Sequence, residues 1–484
     1  MALLLGYLTL SWIGVESGLN TIDAYGVIHT VNERLRTGDF PQSRPPGHPL
    51  SEFWMLPAAA WIAGGGRDLS AETYGFYQLA GGLCCLGFFW LLLRELPISA
   101  ARRVPAAACL IFSPQFLIES SDGEEFLWGT AFVLATVLLM IRLSTGKMAR
   151  PRLGWCVAIA CAVAASGYRV EFGAMALGVV FWTLLFSDRN LAEKMGLGFF
   201  AALLLALLWG PLWIHHGAHA PWDIPLNAKT RLEIGLYKIA FDALGVFPML
   251  PAVAFFLPAK GDSVRILPPF GKAIWGYWLP WLVVAFFVLF FFYPMKPPVI
   301  LPAVAFLILW GAVRAGPWLW ACFVAACIGT LLVQADCFDH RAWVGWKWKP
   351  SLWEQSLAEK SAYQGPELAA AARVAGEGRH VVIANLWPWD IEWQRKHSFW
   401  TGTALPGSAY KGWILAYQAG PGIVVSRMSL ETPALFQNYA RDGYDVWIDR
   451  NVYREVFMRY AVTQALPQTA AIGGVPCRIV EIGP

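Results

Sequence analysis

Two acids sit where apolar runs of this chain end. Asp23 follows the first run, in "TIDAYG", with Tyr25 two residues on. Asp122 follows the third, in "IESSDGEEF", beside Glu119, Glu124 and Glu125. Basic groups recur at matching places: Arg44 and His48 in "SRPPGHPL", Arg169 with Tyr168 and Glu171 in "SGYRVEFG", and Lys296 in "FYPMKPPVILP". Ionisable residues at the margin of a membrane are costly to keep there, so they mark function by default. Acids and cations gathered at one interface shift each other's protonation, which acid–base chemistry requires. The competing explanation is capping, because acids ahead of a helix favour its positive end. Glu124 and Glu125 are assigned to capping; Asp23 and Asp122 are assigned to function.

These groups need a frame, and the composition says which. Of 484 residues, 57% are hydrophobic and only 14% charged, where soluble domains carry about 25% charged residues. The 26 Trp and 30 Phe suit a protein anchored at two membrane–water interfaces. A net charge of +4 without a basic block gives no reason to expect nucleic acid. The fold class expected is a polytopic α-helical membrane protein with about 11 spans. The spans are Met1–Leu19, Tyr74–Leu93, Val104–Ile118, Phe126–Ile141, Leu153–Gly167, Phe172–Ser187, Leu197–Ile214, Phe241–Pro258, Ile274–Tyr293, Val299–Val313 and Pro317–Ala335. The first lacks the basic start of a signal peptide and reads as a helix that stays. Lys and Arg favour the loops on the side of the N-terminus, so the N-terminus is expected in the cytoplasm and the C-terminus outside.

The transmembrane domain is expected over residues 1–335, with a first outer loop at 20–73. In that loop "AYGVIHTVNERLRTG" reads as an amphipathic helix ending at Gly38. Ile28, Val31 and Leu35 share its apolar face, and Arg34 and Arg36 reach water or headgroups. "RPPGHPL" follows, stiffened by prolines, and "LSEFWMLPAAAWIAGGG" is too broken to span. From 336 to 484 acids and bases balance and short β-like runs appear: "HVVIA", "GIVVS", "YDVWI" and "RIVEI". With a helix in "ETPALFQNYARDG" they make a small extracytoplasmic α/β domain. Cys337 and Cys477 lie near its two ends, either disulfide-bonded or free. His215 and His219 in "HHGAH", with Asp223, have a zinc-like spacing but read as interfacial histidines. Trp387, Trp389 and Trp393 could stack on sugars or pack in the domain itself.

The order of these motifs resembles the GT-C superfamily of membrane glycosyltransferases, whose relatives include lipid A aminoarabinose transferases and protein O-mannosyltransferases. The resemblance rests on "DAY" and "SRPPGHPL" after the first helix, "SSDGEEF" after the third, and "YPMKPPVILPAVAF" before a late one. It implies a sugar donor carried on polyprenyl phosphate, a lipid, glycan or protein acceptor, and inverting transfer at the outer face of a bacterial-type inner membrane. It further implies Asp23 as the first-loop acid, which acts as general base or helps bind a metal or the acceptor, assisted by Asp122. Arg44, Arg169 and Lys296 would hold the lipid phosphate, with Tyr25, His48 and Glu171 as further substrate-binding residues. A divalent metal ion is admitted by the resemblance. A lipid-linked-sugar flippase would instead need charged groups in mid-helix, and a scaffold would tolerate loss of both acids.

Overall fold

A computed structural model of the chain describes residues 2–16, 22–38, 48–64, 69–122, 125–216, 228–257, 272–292, 297–339, 342–354, 357, 379–384, 403–404, 409–410, 413–414, 416–420, 423–427, 433–450, 453 and 467–480. It divides into two compact units: Met1–Asp336 with Trp348–Ser356, and Cys337–Lys347 with Leu357–Pro484.

The first unit is helical. Its opening elements are α1 (Ala2–Glu16), α2 (Ile22–Thr37), a π-helical turn Ser51–Met55 and α3 (Leu56–Gly64). Then come α4 (Ala71–Glu95), α5 (Ala100–Ile111), α6 (Pro114–Asp122), α7 (Phe126–Ser144), α8 (Pro151–Tyr168), α9 (Val170–Leu185) and α10 (Leu191–His216). The unit continues with α11 (Ala228–Tyr237), a π-helical turn Lys238–Ala243, α12 (Val246–Ala254) and α13 (Lys272–Phe292). It closes with a 3-10 turn Pro297–Ile300, α14 (Leu301–Arg314) and α15 (Pro317–Gly329).

Among the described residues three helices are long and apolar enough to cross a membrane: Glu72–Glu95, Phe126–Ser144 and Leu191–His216. The number rises to five if each of two bent pairs is one span, and shorter apolar helices accompany them. The chain is thus an integral membrane protein in composition and build. The span expected over Val104–Ile118 is one of the bent pairs, with α5 and α6 meeting at 58°. Pro114 at the head of α6 has no N–H to continue the hydrogen-bond ladder, so a new helix starts there. The expected Phe241–Pro258 span starts at the break of the other bent pair, Arg231–Phe241 with Val246–Ala254, which meet at 97°; Gly245, just before the second arm, has a φ of +84° that suits glycine.

Between apolar helices, association depends on packing rather than on escape from water. The sequence meets that demand with small residues. A Cβ on Gly81 would fall 2.8 Å from the Trp128 ring, and one on Gly82 would overlap the Tyr7 hydroxyl. α4 therefore runs close to both α7 and α1. α7 is the central helix, with 72% of its apolar window buried, whereas α10 has 11% buried and faces outward. α14 is enclosed from Leu301 to Ala312.

The second unit contains a seven-stranded sheet. Its strands are β3 (His380–Ala384), β4 (Thr403–Ala404), β7 (Ala416–Gly420), β8 (Ile423–Arg427), β9 (Asp445–Asp449), β10 (Thr469–Ile472) and β11 (Val475–Val480). The order is β10-β11-β9-β3-β8-β7-β4. The four central strands β11, β9, β3 and β8 are parallel and the rest antiparallel. Two strand pairs stand apart: β1 (Gln334–Asp339) with β2 (Ala342–Lys349), and β5 (Ala409–Tyr410) with β6 (Trp413–Ile414). The helix expected in "ETPALFQNYARDG" is α16 (Pro433–Arg441), and Gly443 follows at φ +80°. Phe436, Tyr439, Val446, Ile448 and Cys477 are buried. Cys477 is a free thiol, so of the two readings of this cysteine the disulfide falls.

Candidate active site

α2 is the amphipathic helix of the first loop. Ala24, Val27, Ile28 and Val31 are buried along one face, and Gly38 ends the helix at φ +76°. Asn32 fixes it, accepting from the Leu69 N–H at 2.6 Å and donating to the Leu69 carbonyl at 3.1 Å. Arg34 is half-buried. Its guanidinium lies 5.0 Å over the Phe53 ring, and burial lowers its pKa. Asp23 and Tyr25 belong to α2 and Asp122 ends α6, but their side chains lie outside the described residues, as do Arg44 and Lys296 entirely.

Beyond the proline-rich stretch the chain returns at His48, only 4% exposed. Its Nδ1 is 2.6 Å from the Tyr168 carbonyl oxygen, at the end of α8. The same nitrogen is 3.9 Å from Glu125 Oε2. One helical turn later Ser51 Oγ donates to Glu125 Oε1 at 3.1 Å. Gly167 permits this docking. A Cβ there would fall 2.7 Å from Leu50 Cβ and 2.8 Å from Leu208 Cδ2.

The α8–α9 break supplies the other wall. Arg169 is extended, at φ −148°, ψ 122°, so it ends one helix and caps the next. Its side chain donates to Glu171 Oε1 at 2.8 Å and stands 4.5 Å over the Phe126 ring. Tyr168 meets Tyr77 hydroxyl to hydroxyl at 2.8 Å and stacks on Trp128 at 6.0 Å.

Glu125 needs correcting. As residue zero of α7 it was expected to cap that helix, yet its side chain makes no capping bond and is fully buried. It serves the first loop instead. Glu52, also fully buried, and Ser51 were not singled out by sequence. The available signal was a lone acid in the apolar stretch "LSEFWML" directly after "RPPGHPL". Of the expected site residues, His48, Arg169 and Glu171 are described, and all are more enclosed than a surface-loop reading suggests. α6, which ends at Asp122, packs against the Pro297–Ile300 turn.

His215 lies in the last turn of α10, while His219 and Asp223 lie outside the described residues, as do Trp387, Trp389 and Trp393. Among the described residues no group of three His, Cys, Asp or Glu side chains could hold a metal ion.

These features define a class: a largely helical integral membrane protein with a buried acid–base cluster under its first loop. No family model matches the chain, and no curated protein does. Two solved structures are similar to it. One is ArnT from Cupriavidus metallidurans in the apo state, at 16% identity and a TM-score of 0.47, over 68% of this chain and 62% of that one. The other is ArnT from the same organism bound to undecaprenyl phosphate, at 16% identity and a TM-score of 0.43, over 78% of this chain and 65% of that one. The chain thus spans less than two thirds of the length of either.

Proposed function

We propose that the chain is a membrane glycosyltransferase that moves a sugar from a polyprenyl-phosphate carrier to a lipid, glycan or protein acceptor. The observation supporting this is a convergence. Three stretches singled out for their ionisable residues, "SRPPGHPL", "SSDGEEF" and "SGYRVEFG", meet through His48, Glu125 and Tyr168 in one buried polar cluster. Two of the stretches that carry a resemblance to GT-C enzymes, "SRPPGHPL" and "SSDGEEF", are therefore joined to one another inside the first unit.

In this reading Asp23 takes the proton of the attacking hydroxyl or amine as the new glycosidic bond forms. Asp122 assists it. The carbon–oxygen bond to the lipid phosphate breaks, and Arg44, Arg169 and Lys296 stabilise the phosphate that leaves. His48 anchors the loop that carries Arg44. Tyr25 and Glu171 complete the sugar and acceptor side. The site faces outward across a bacterial-type inner membrane, with the N-terminus in the cytoplasm and residues 336–484 forming the extracytoplasmic domain.

The helices themselves speak against a transporter. Every Asp, Glu, Lys and Arg of α4, α7, α8, α9, α10 and α14 lies within a terminal turn, whereas a transport path needs such groups near the bilayer midplane. The deciding experiment supplies a defined polyprenyl-phosphate sugar to the protein in nanodiscs and follows transfer by mass spectrometry. It is paired with envelope glycan and lipid profiles of cells with and without the gene. Unchanged profiles together with no transfer would overturn the proposal.

A further inference from the structure

The wedge where α1, α4 and α6 meet is polar, and the function above does not use it. Tyr7, fully buried, donates its hydroxyl to Ser120 Oγ at 2.8 Å, and Ser120 donates on to the Phe116 carbonyl at 2.6 Å. Gly82 makes room for the Tyr7 hydroxyl. Further along the same seam Val15 packs on Gly75, whose added Cβ would fall 2.9 Å away. α1 and α4 therefore run antiparallel, with Tyr7 level with Gly82 and Val15 level with Gly75.

Two polar residues lie midway. Ser11 is one turn from both Tyr7 and Val15, and Gln78 is one turn from both Gly75 and Gly82. The two come level on facing stripes. Gln78 is 0% and Ser11 1% exposed. Gln78 Oε1 and Gln78 Nε2 have no hydrogen-bond partner among the described residues, and Ser11 Oγ has only the Tyr7 hydroxyl near it. A buried amide left so carries the full desolvation penalty of its polar atoms. Sequences shed such a cost easily, since a Leu or Met fits an apolar helix seam.

We propose that Ser11 and Gln78 form an internal hydration site, in which ordered water bridges α1 to α4 beside the Tyr7–Ser120 bond. Buried waters characteristically make about three hydrogen bonds to such groups. The amide offers a donor and an acceptor and the serine hydroxyl offers both, which matches that need. The water completes a polar strut from α1 through α4 to α6, the helix that ends at Asp122.

Radiolytic hydroxyl-radical labelling of the full-length protein in nanodiscs tests this, because radicals made from a bound water label the side chains beside it. Tyr7 should be labelled despite its burial, while Phe306, equally buried in α14, should not. Labelling of Tyr7 should be lost in Gln78→Leu and reduced in Ser11→Ala. Should Gln78→Leu fail to fold, Ser11→Ala and the wild-type comparison still decide. Tyr7 labelling no higher than that of Phe306 in the wild type would overturn the proposal, as would labelling unchanged in the variants.

Discussion

Ser51 Oγ and Glu125 Oε1 share a buried hydrogen bond of 3.1 Å across 74 residues of chain. The bond ties the re-entry of the first loop to the N-terminus of the central helix. A buried hydrogen bond of this kind contributes about 0.5–1.5 kcal/mol. Ser51→Ala should therefore lower the unfolding temperature in detergent, and Glu125→Ala should lower it further by also stripping His48 of its acidic neighbour. Unfolding curves identical to wild type for both variants would show that the loop is held elsewhere.

The docking of that loop depends on a missing side chain. Gly167→Ala would drive a methyl group against Leu50 Cβ and Leu208 Cδ2, and overpacking of this kind costs about 1–3 kcal/mol. α8 itself should be unharmed, since alanine is the better helix former. Limited proteolysis should then cut faster within residues 39–47 in the variant. Equal cleavage rates would mean that the contact relaxes without cost.

Cys477 gives the C-terminal unit a pH signature. Burial pushes its thiol from 9.0 up to about 11. The unfolded thiol loses its proton near pH 9, while the folded one keeps it. Between those values the native state holds more protons, so stability falls as pH rises. The cost is absent below pH 9, grows up to about pH 11 and levels off above it. Cys477→Ala should flatten the stability profile of the C-terminal unit over that window. Maleimide should also label the native thiol slowly at pH 8.

Much of this architecture could be read from residue patterns. The α2 helix, its apolar face and its stop at Gly38 follow from 3.6-residue periodicity and from glycine's access to positive φ. β3 coincides with "HVVIA" because a β-branched run flanked by breakers has few alternatives. The bend at Pro114 was missed because hydropathy runs through it unbroken, and the chemistry of one missing N–H decides the geometry. Glu125 was misassigned for a different reason. Its position before a helix is what capping predicts, and only the long-range return of Ser51 reverses that. Ser51 and Glu52 were invisible because burial of a polar residue depends on partners distant in sequence.

The general-base assignment makes a kinetic prediction. Asp23→Asn preserves shape but cannot accept a proton, and general-base contributions run to about 10²–10⁴-fold. Transfer from a polyprenyl-phosphate sugar should fall by that order while donor binding persists. Turnover near wild type would move the role of base to another group.

Arg169 separates binding from scaffolding. Its guanidinium lies over Phe126 and donates to Glu171, with both partners largely enclosed. Removing one member of a buried pair costs about 3–5 kcal/mol, so Arg169→Ala is expected to insert poorly and tells little. Arg169→Lys keeps the charge and loses the planar fork that lies on an aromatic ring and can hold a phosphate through two parallel donors. The protein should then insert and unfold near the wild-type temperature while the KM for the lipid-phosphate donor rises and kcat changes less. A KM equal to wild type, with stability reduced, would place Arg169 in the α8–α9 junction alone and leave the phosphate to Arg44 and Lys296.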